Sequence, residues 1–203
     1  MDALVLVDIQ NDFCPGGSLA VREGDRIVPV VNELQKKFDL IVATKDWHPP
    51  GHSSFESLWP PHCVQNTEGA EFVDGLDTSR IAHTFLKGTD PAVDSYSGFF
   101  DNEHKLSTGL GDWLRARGVT GVAIAGLATD YCVKFTALDA IRLGFETTVV
   151  ADACRGVEVN EGDTERAVEE MRAAGARVVE SREILGRSGP SESPAGSATS
   201  GAA

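Results

Sequence analysis

Six short apolar runs punctuate the chain, at residues 3–7, 40–44, 84–87, 122–125, 147–151 and 177–179. Several are almost wholly Val, Leu, Ile and Ala, without apolar–polar alternation. That pattern predicts strands of a parallel sheet covered on both faces. The stretches between them carry a helical period. Ile27, Val30, Val31, Leu34 and Phe38 recur at i, i+3, i+4, i+7 and i+11, a single apolar stripe along one helix. Leu106, Leu110, Trp113 and Leu114 predict a second helix before the fourth strand. Val133, Leu138 and Ile141 predict a third over 130–143, stopped by Gly144, and 161–174 a fourth, stopped by Gly175. Strands alternating with helices predict an α/β fold: a single-domain open sheet with helices on both faces. In such sheets ligands sit beyond the carboxyl ends of the strands.

Two regions break the alternation. Residues 45–80 and 88–104 are long loops, which in a compact domain are usually functional. The stretch 186–203 is almost entirely Gly, Ser, Pro and Ala, too poor in apolar side chains to pack, and predicts a disordered tail behind a domain over 1–185. A chain of 203 residues suits one such domain. Its 31 acidic against 18 basic residues, a formal net charge of −13, argue against nucleic acid and anionic membrane surfaces, which need clustered Lys and Arg. No apolar run approaches the ~20 residues of a membrane span. The opening M-D-A-L-V-L-V-D lacks a basic flank and meets Asp8 too early for a signal peptide. These features predict a cytoplasmic protein, and its four cysteines, Cys14, Cys63, Cys132 and Cys154, predict free thiols.

Chemistry gathers at the predicted strand ends. Asp8 ends the first strand, where partial burial tunes a carboxylate; a turn or helix-capping aspartate fits the position equally well. The second strand runs into T-K-D-W-H-P-P-G-H. Asp46 and His48 share a face in extended chain, and Pro49, Pro50 and Gly51 permit a turn that returns His52 beside them. His62 follows in W-P-P-H. Three of the five histidines thus fall within a short loop beside one aspartate, a donor set suited to Zn²⁺, Fe²⁺ or Mn²⁺, against the alternative of a polar loop with surface histidines. Lys87 closes the third strand. Cys132 lies in A-G-L-A-T-D-Y-C-V, directly after the fourth strand. A thiol in the first turn of a helix is expected to have a lowered pKa, and the free N–H groups there can stabilise an oxyanion. A thiol, a carboxylate and a lysine on one sheet edge form the arrangement of a nucleophile with its base.

The motifs V-D-I-Q-N-D-F, T-K-D-W-H-P-P-x-H, W-P-P-H-C-V, the strand-end lysine and G-L-A-T-D-Y-C-V, in this order over about residues 2–180, resemble nicotinamidases of the isochorismatase-like hydrolase superfamily. The resemblance implies a Rossmann-type three-layer fold with six parallel strands and a catalytic triad of Asp8, Lys87 and Cys132. It implies one divalent metal ion held by Asp46, His48, His52 and His62. It further implies that Phe13 and Trp59 flank a pyridine ring with Tyr96 nearby, and that a cis Leu127–Ala128 peptide aims the Ala128 and Cys132 amides at the substrate oxygen. The implied reaction converts nicotinamide to nicotinic acid and ammonia, a step of NAD salvage, with action on related aromatic amides such as pyrazinamide. Isochorismatases proper and amidases of carbamoyl or ureido substrates share the fold but generally lack the D-x-H…H…H set, which is intact here. A binding module with a structural metal and an inert Cys132 is the reading from a different class.

Overall fold

The computed structural model describes residues 1–186, so the expectation of a disordered tail lies outside the described residues beyond Gly186. Its strands are β1 (Asp2–Val7), β2 (Leu40–Asp46), β3 (His83–Lys87), β4 (Gly121–Leu127), β5 (Glu146–Arg155) and β6 (Arg177–Val179). All neighbours pair in parallel, in the order β3-β2-β1-β4-β5-β6. The helices are α1 (Val28–Gln35), α2 (Ser54–Ser57), α3 (Leu110–Arg115), α4 (Lys134–Arg142), α5 (Asp163–Ala174) and α6 (Ser181–Leu185).

The non-alternating strands follow from burial on two sides. In β1, Leu4 and Leu6 pack with Ile27, Val31 and Leu34 in one apolar cluster. Ala3, Val5 and Val7 pack with Leu110 and Leu114 of α3, Ala137 and Ala140 of α4 and Met171 of α5 in another. Every one of these β1 residues is fully buried, so neither face tolerates a polar side chain. Truncating a Leu or Ile in such a core costs about 2–5 kcal/mol.

Two helix expectations are corrected in detail, and one helix is added. The second predicted helix does not include Leu106, which is 55% exposed. The buried Asp101 carboxylate accepts the N–H groups of Lys105 and Leu106, both at 2.8 Å, and holds that segment as a loop. The helix begins only after Gly109, at φ +87°. The third opens with a π-helical turn, Thr129–Val133, before α4 begins. The short α6 had no periodic signal to announce it. A reciprocal capping box between Glu180 and Glu183 starts it, and Asp152 accepts the N–H and hydroxyl of Ser181 at 2.7 and 2.6 Å.

Register places the functional strand ends together. Asp46 pairs with Lys87 across β2 and β3, and Val7 with Gly126 across β1 and β4. A Cβ on Gly126 would lie 2.0 Å from the Val7 carbonyl oxygen, and its φ of +137° suits only glycine. This close approach sets Asp8 beside the turn that carries Cys132.

Candidate active site

At the carboxyl edge of the sheet a fully buried ammonium organises the site. Lys87 Nζ lies 2.9 Å from Asp8 Oδ2 and 3.4 Å from Cys132 Sγ. It also donates to Asp46 Oδ1 and, at 2.8 Å, to the carbonyl of Ser95. Burial works against the ammonium, but Asp46, Asp8 and Cys132 around it push Lys87 well above the ordinary lysine value. It stays charged.

Asp8, Asp46 and Cys132 each bring one polar atom within 4.8 Å of the others. Burial, opposed chiefly by Lys87, raises the Asp8 carboxyl to about 6. Thr44, whose side chain shares a strand face with Asp46, donates its hydroxyl to Asp8 Oδ1 at 2.6 Å. Asp46 goes the other way, because Lys87 and His48 beside it outweigh burial and hold its carboxyl well below the usual range. The expectation of a lowered thiol pKa is corrected here. Burial is the largest influence on Cys132, Lys87 opposes it, and with Asp8 and Asp46 adding their charge the thiol is pushed well above its ordinary value. The resting sulfur is therefore a neutral thiol facing a carboxylate base.

The predicted loop histidines converge on the far side of Asp46. Its Oδ2 lies 3.7 Å from His48 Nε2 and 3.9 Å from His62 Nε2. The Nδ1 of His48 faces the Gly88 carbonyl at 2.9 Å, and that of His62 the Pro60 carbonyl at 2.8 Å. A carbonyl only accepts, so each neutral ring carries its proton on Nδ1 and bares Nε2. His52 Nδ1 meets the Ser54 hydroxyl at 2.7 Å. The Nε2 atoms of His48 and His52 are buried without a hydrogen-bond partner, a costly condition unless they serve as ligands. Two donor groups share His48: Asp46, His48 and His62, and His48, His52 and Asp94. This set fits a divalent metal. Phe55 roofs it, its ring centroid 5.6 Å from each of the three imidazoles.

Between the two halves opens a pocket lined by Phe13, Trp59, Tyr96, Ala128 and Cys132, with Asp46 and His62 at one end. Every residue predicted to touch a ring or an oxyanion reaches it. Phe13 packs against His62 at 5.6 Å between ring centroids, and Trp59 Nε1 donates to the Tyr96 hydroxyl at 3.2 Å. The Leu127–Ala128 peptide is cis. A larger cavity, about 680 Å³, lies at the opposite end of the sheet among Asp2, Gly121, Glu146 and Arg177, and no histidine or cysteine lines it.

Sequence reasoning missed several residues that hold this site. Gln10 donates to the Asp46 carbonyl at 2.8 Å and accepts the Asp46 N–H at 2.8 Å. Asp12 accepts the Cys63 N–H at 2.7 Å, fixing the residue after His62 at φ +45°. Both stand in V-D-I-Q-N-D-F, but nothing in their type marks them as supports. Asp94 and Tyr131 line the pocket without a sequence signal of their own. Thr44 was within reach, since it lies two positions before Asp46 on one strand.

The Isochorismatase domain model matches residues 2–183. The nicotinamidase of Escherichia coli is 48% identical over 196 residues, covering 86% of this chain and 92% of that protein. A nicotinamidase/pyrazinamidase structure from Acinetobacter baumanii superposes with a TM-score of 0.88 at 40% identity, covering 90% of this chain and 97% of its own. The pyrazinamidase of Pyrococcus horikoshii, solved in complex with zinc, gives 0.79 at 47% identity, over 88% and 98% of the two chains. The chain belongs to the Isochorismatase domain family and, within it, to the nicotinamidases.

Proposed function

We propose that this protein hydrolyses nicotinamide to nicotinic acid and ammonia through a thioester on Cys132, as a step of NAD salvage in the cytoplasm. Pyrazinamide and related aromatic amides are further substrates of the same pocket. The observation that carries the reading is Lys87, whose one ammonium touches Asp8, Asp46 and Cys132 and so joins a nucleophile and its base to the loop that binds the ring.

Asp8 takes the thiol proton as the sulfur attacks the amide carbon. Coupling these steps suits a thiol pushed up by burial and a carboxylate near 6. Lys87 keeps both carboxylates and the developing thiolate in place. The Ala128 and Cys132 N–H groups take the oxyanion. The C–N bond then breaks, and Asp8 returns its proton to the leaving ammonia. Water next attacks the thioester, with Asp8 again accepting a proton. The C–S bond breaks, and that proton restores the thiol.

Phe13 and Trp59 sandwich the ring, with Tyr96 at its edge. Asp46, His48, His52 and His62 would hold one divalent cation, zinc, iron or manganese, which would supply Lewis-acid chemistry that positions the substrate. Among the described residues no helix is long and apolar enough to cross a membrane.

Ammonia release from nicotinamide, measured as purified, after chelation and after adding back each metal, tests the assignment. Steady release that chelation abolishes and a metal restores is the expected result. No release under any condition would sink it.

A further inference from the structure

One buried carboxylate in the nucleophile's own turn takes no part in the chemistry above. Asp130 stands two residues before Cys132 and is 5% exposed. Its Oδ1 accepts the N–H of Val157 and its Oδ2 that of Glu158, both at 2.9 Å. These two residues belong to the loop that follows β5, and Val157 lines the substrate pocket together with Cys132. Glu158 is held at φ +56°, and its own carboxylate accepts the N–H groups of Gly162 and Thr164 at 2.9 and 2.7 Å, at the start of α5. Gly156, just before, leaves no slack: a Cβ there would meet Thr164 Oγ1 at 1.9 Å and approach Asp130 Oδ1 to 3.3 Å.

Asp130 thus anchors this loop from the segment that carries the sulfur. A buried carboxylate bridging two backbone N–H groups is a directional, charge-assisted contact. It ties the apolar wall of the pocket to the attacking atom, so the distance between them does not depend on the loop alone.

We propose that Asp130 is a positioning residue that fixes the Val157 wall against Cys132, and thereby the depth at which a flat aromatic ring seats before attack. This inference rests on the nicotinamidase reading of the site. Asp130 touches neither substrate nor sulfur; it acts through Val157.

The test is a double-mutant cycle on KM for nicotinamide in the metal-loaded enzyme, using Asp130→Asn, Val157→Ala and both together. Val157→Ala removes two methyl groups from the wall and should raise KM roughly fivefold to tenfold with kcat nearly unchanged. Asp130→Asn presents an amide N–H₂ to one of the two backbone donors, and should raise KM at least as much and lower kcat as well. The double variant should match Asp130→Asn within about twofold, because the wall it lacks is already displaced. Losses that multiply would overturn the proposal, since a merely structural aspartate is indifferent to Val157. So would an unchanged KM in Val157→Ala, an arm that stands even where Asp130→Asn fails to fold. If the unaltered protein releases no ammonia from nicotinamide, the reading of the site falls and this inference with it; multiplied losses in an active enzyme remove the role of Asp130 alone.

Discussion

The hydroxyl of Thr44 reaches across from β2 to donate to Asp8 at 2.6 Å. A hydrogen bond to the ionised form lowers a carboxyl pKa, so Thr44 partly offsets the burial that raises Asp8 to about 6. Asp8 must be ionised to act as base. kcat/KM for nicotinamide should therefore fall as pH drops through about 6. In Thr44→Val the offset is gone, the Asp8 carboxyl rises further, and the acid limb should move to higher pH. An acid limb that stays in place would assign it to another group.

Metal content should follow the geometry of the histidine cluster. His48→Ala and His62→Ala each remove a bared Nε2 close to Asp46, and elemental analysis should show the metal lost, with KM strongly raised. His104→Ala should keep it, because His104 lies outside the cluster, stacked on Phe100 and 3.7 Å from Asp139. Gly88→Ala makes a sharper test. A Cβ there would come within 2.4 Å of the His48 ring, and φ is +62°. That variant should lose metal although every ligand is intact. Gly144→Ala, at φ +86° with open space around it, should cost about 1 kcal/mol of stability and leave the metal in place.

Trp59 contributes a ring and an N–H, and two substitutions separate them. Trp59→Ala should raise KM for nicotinamide by roughly tenfold, since aromatic pairs add about 0.5–1.5 kcal/mol to the burial of the ring. Trp59→Phe keeps an aromatic face but gives up the hydrogen bond to Tyr96, and should lose less. An aliphatic amide should be hydrolysed almost equally by all three proteins. Equal losses for both substrates would reduce Trp59 to a support for its loop.

The covalent step leaves a direct trace. Acid-quenched enzyme should carry a nicotinoyl adduct on Cys132 and on none of Cys14, Cys63 or Cys154, and hydroxylamine should convert it to the hydroxamate. Cys132 is the one of the four buried thiols that both lines the substrate pocket and meets the Lys87 ammonium. Cys132→Ala should bind metal and nicotinamide but release no ammonia. Cys132→Ser should be nearly as inactive, because an aspartate with a pKa of about 6 is a poor base for a hydroxyl. Robust turnover by Cys132→Ala would mean that the attacking oxygen comes from water directly.

How far the chain could be read in advance depended on whether a signal was local. The central strands β1 and β4 were legible because burial on both faces strips them of polar residues, and the longer helices because one face repeats. The Leu106 misreading is instructive. Its spacing was helical, but Asp101, a few residues upstream, captures the N–H groups that a helix would have used. The loop donors Asp46, His48, His52 and His62 were legible because they share one short segment.

Sequence alone determined which chemical groups are present and which strand ends bear them, since residue type and periodicity are written along the chain. Tertiary structure decided what those groups become. Parallel pairing set Lys87 beside Asp46, and the close approach of β1 to β4 at Gly126 brought Asp8 to the turn of Cys132. Burial then reversed the expected direction of the thiol pKa. Desolvation and Coulomb interaction depend on distance and on the exclusion of water, and residues 8, 44, 87 and 132 acquire both only when the sheet closes around them.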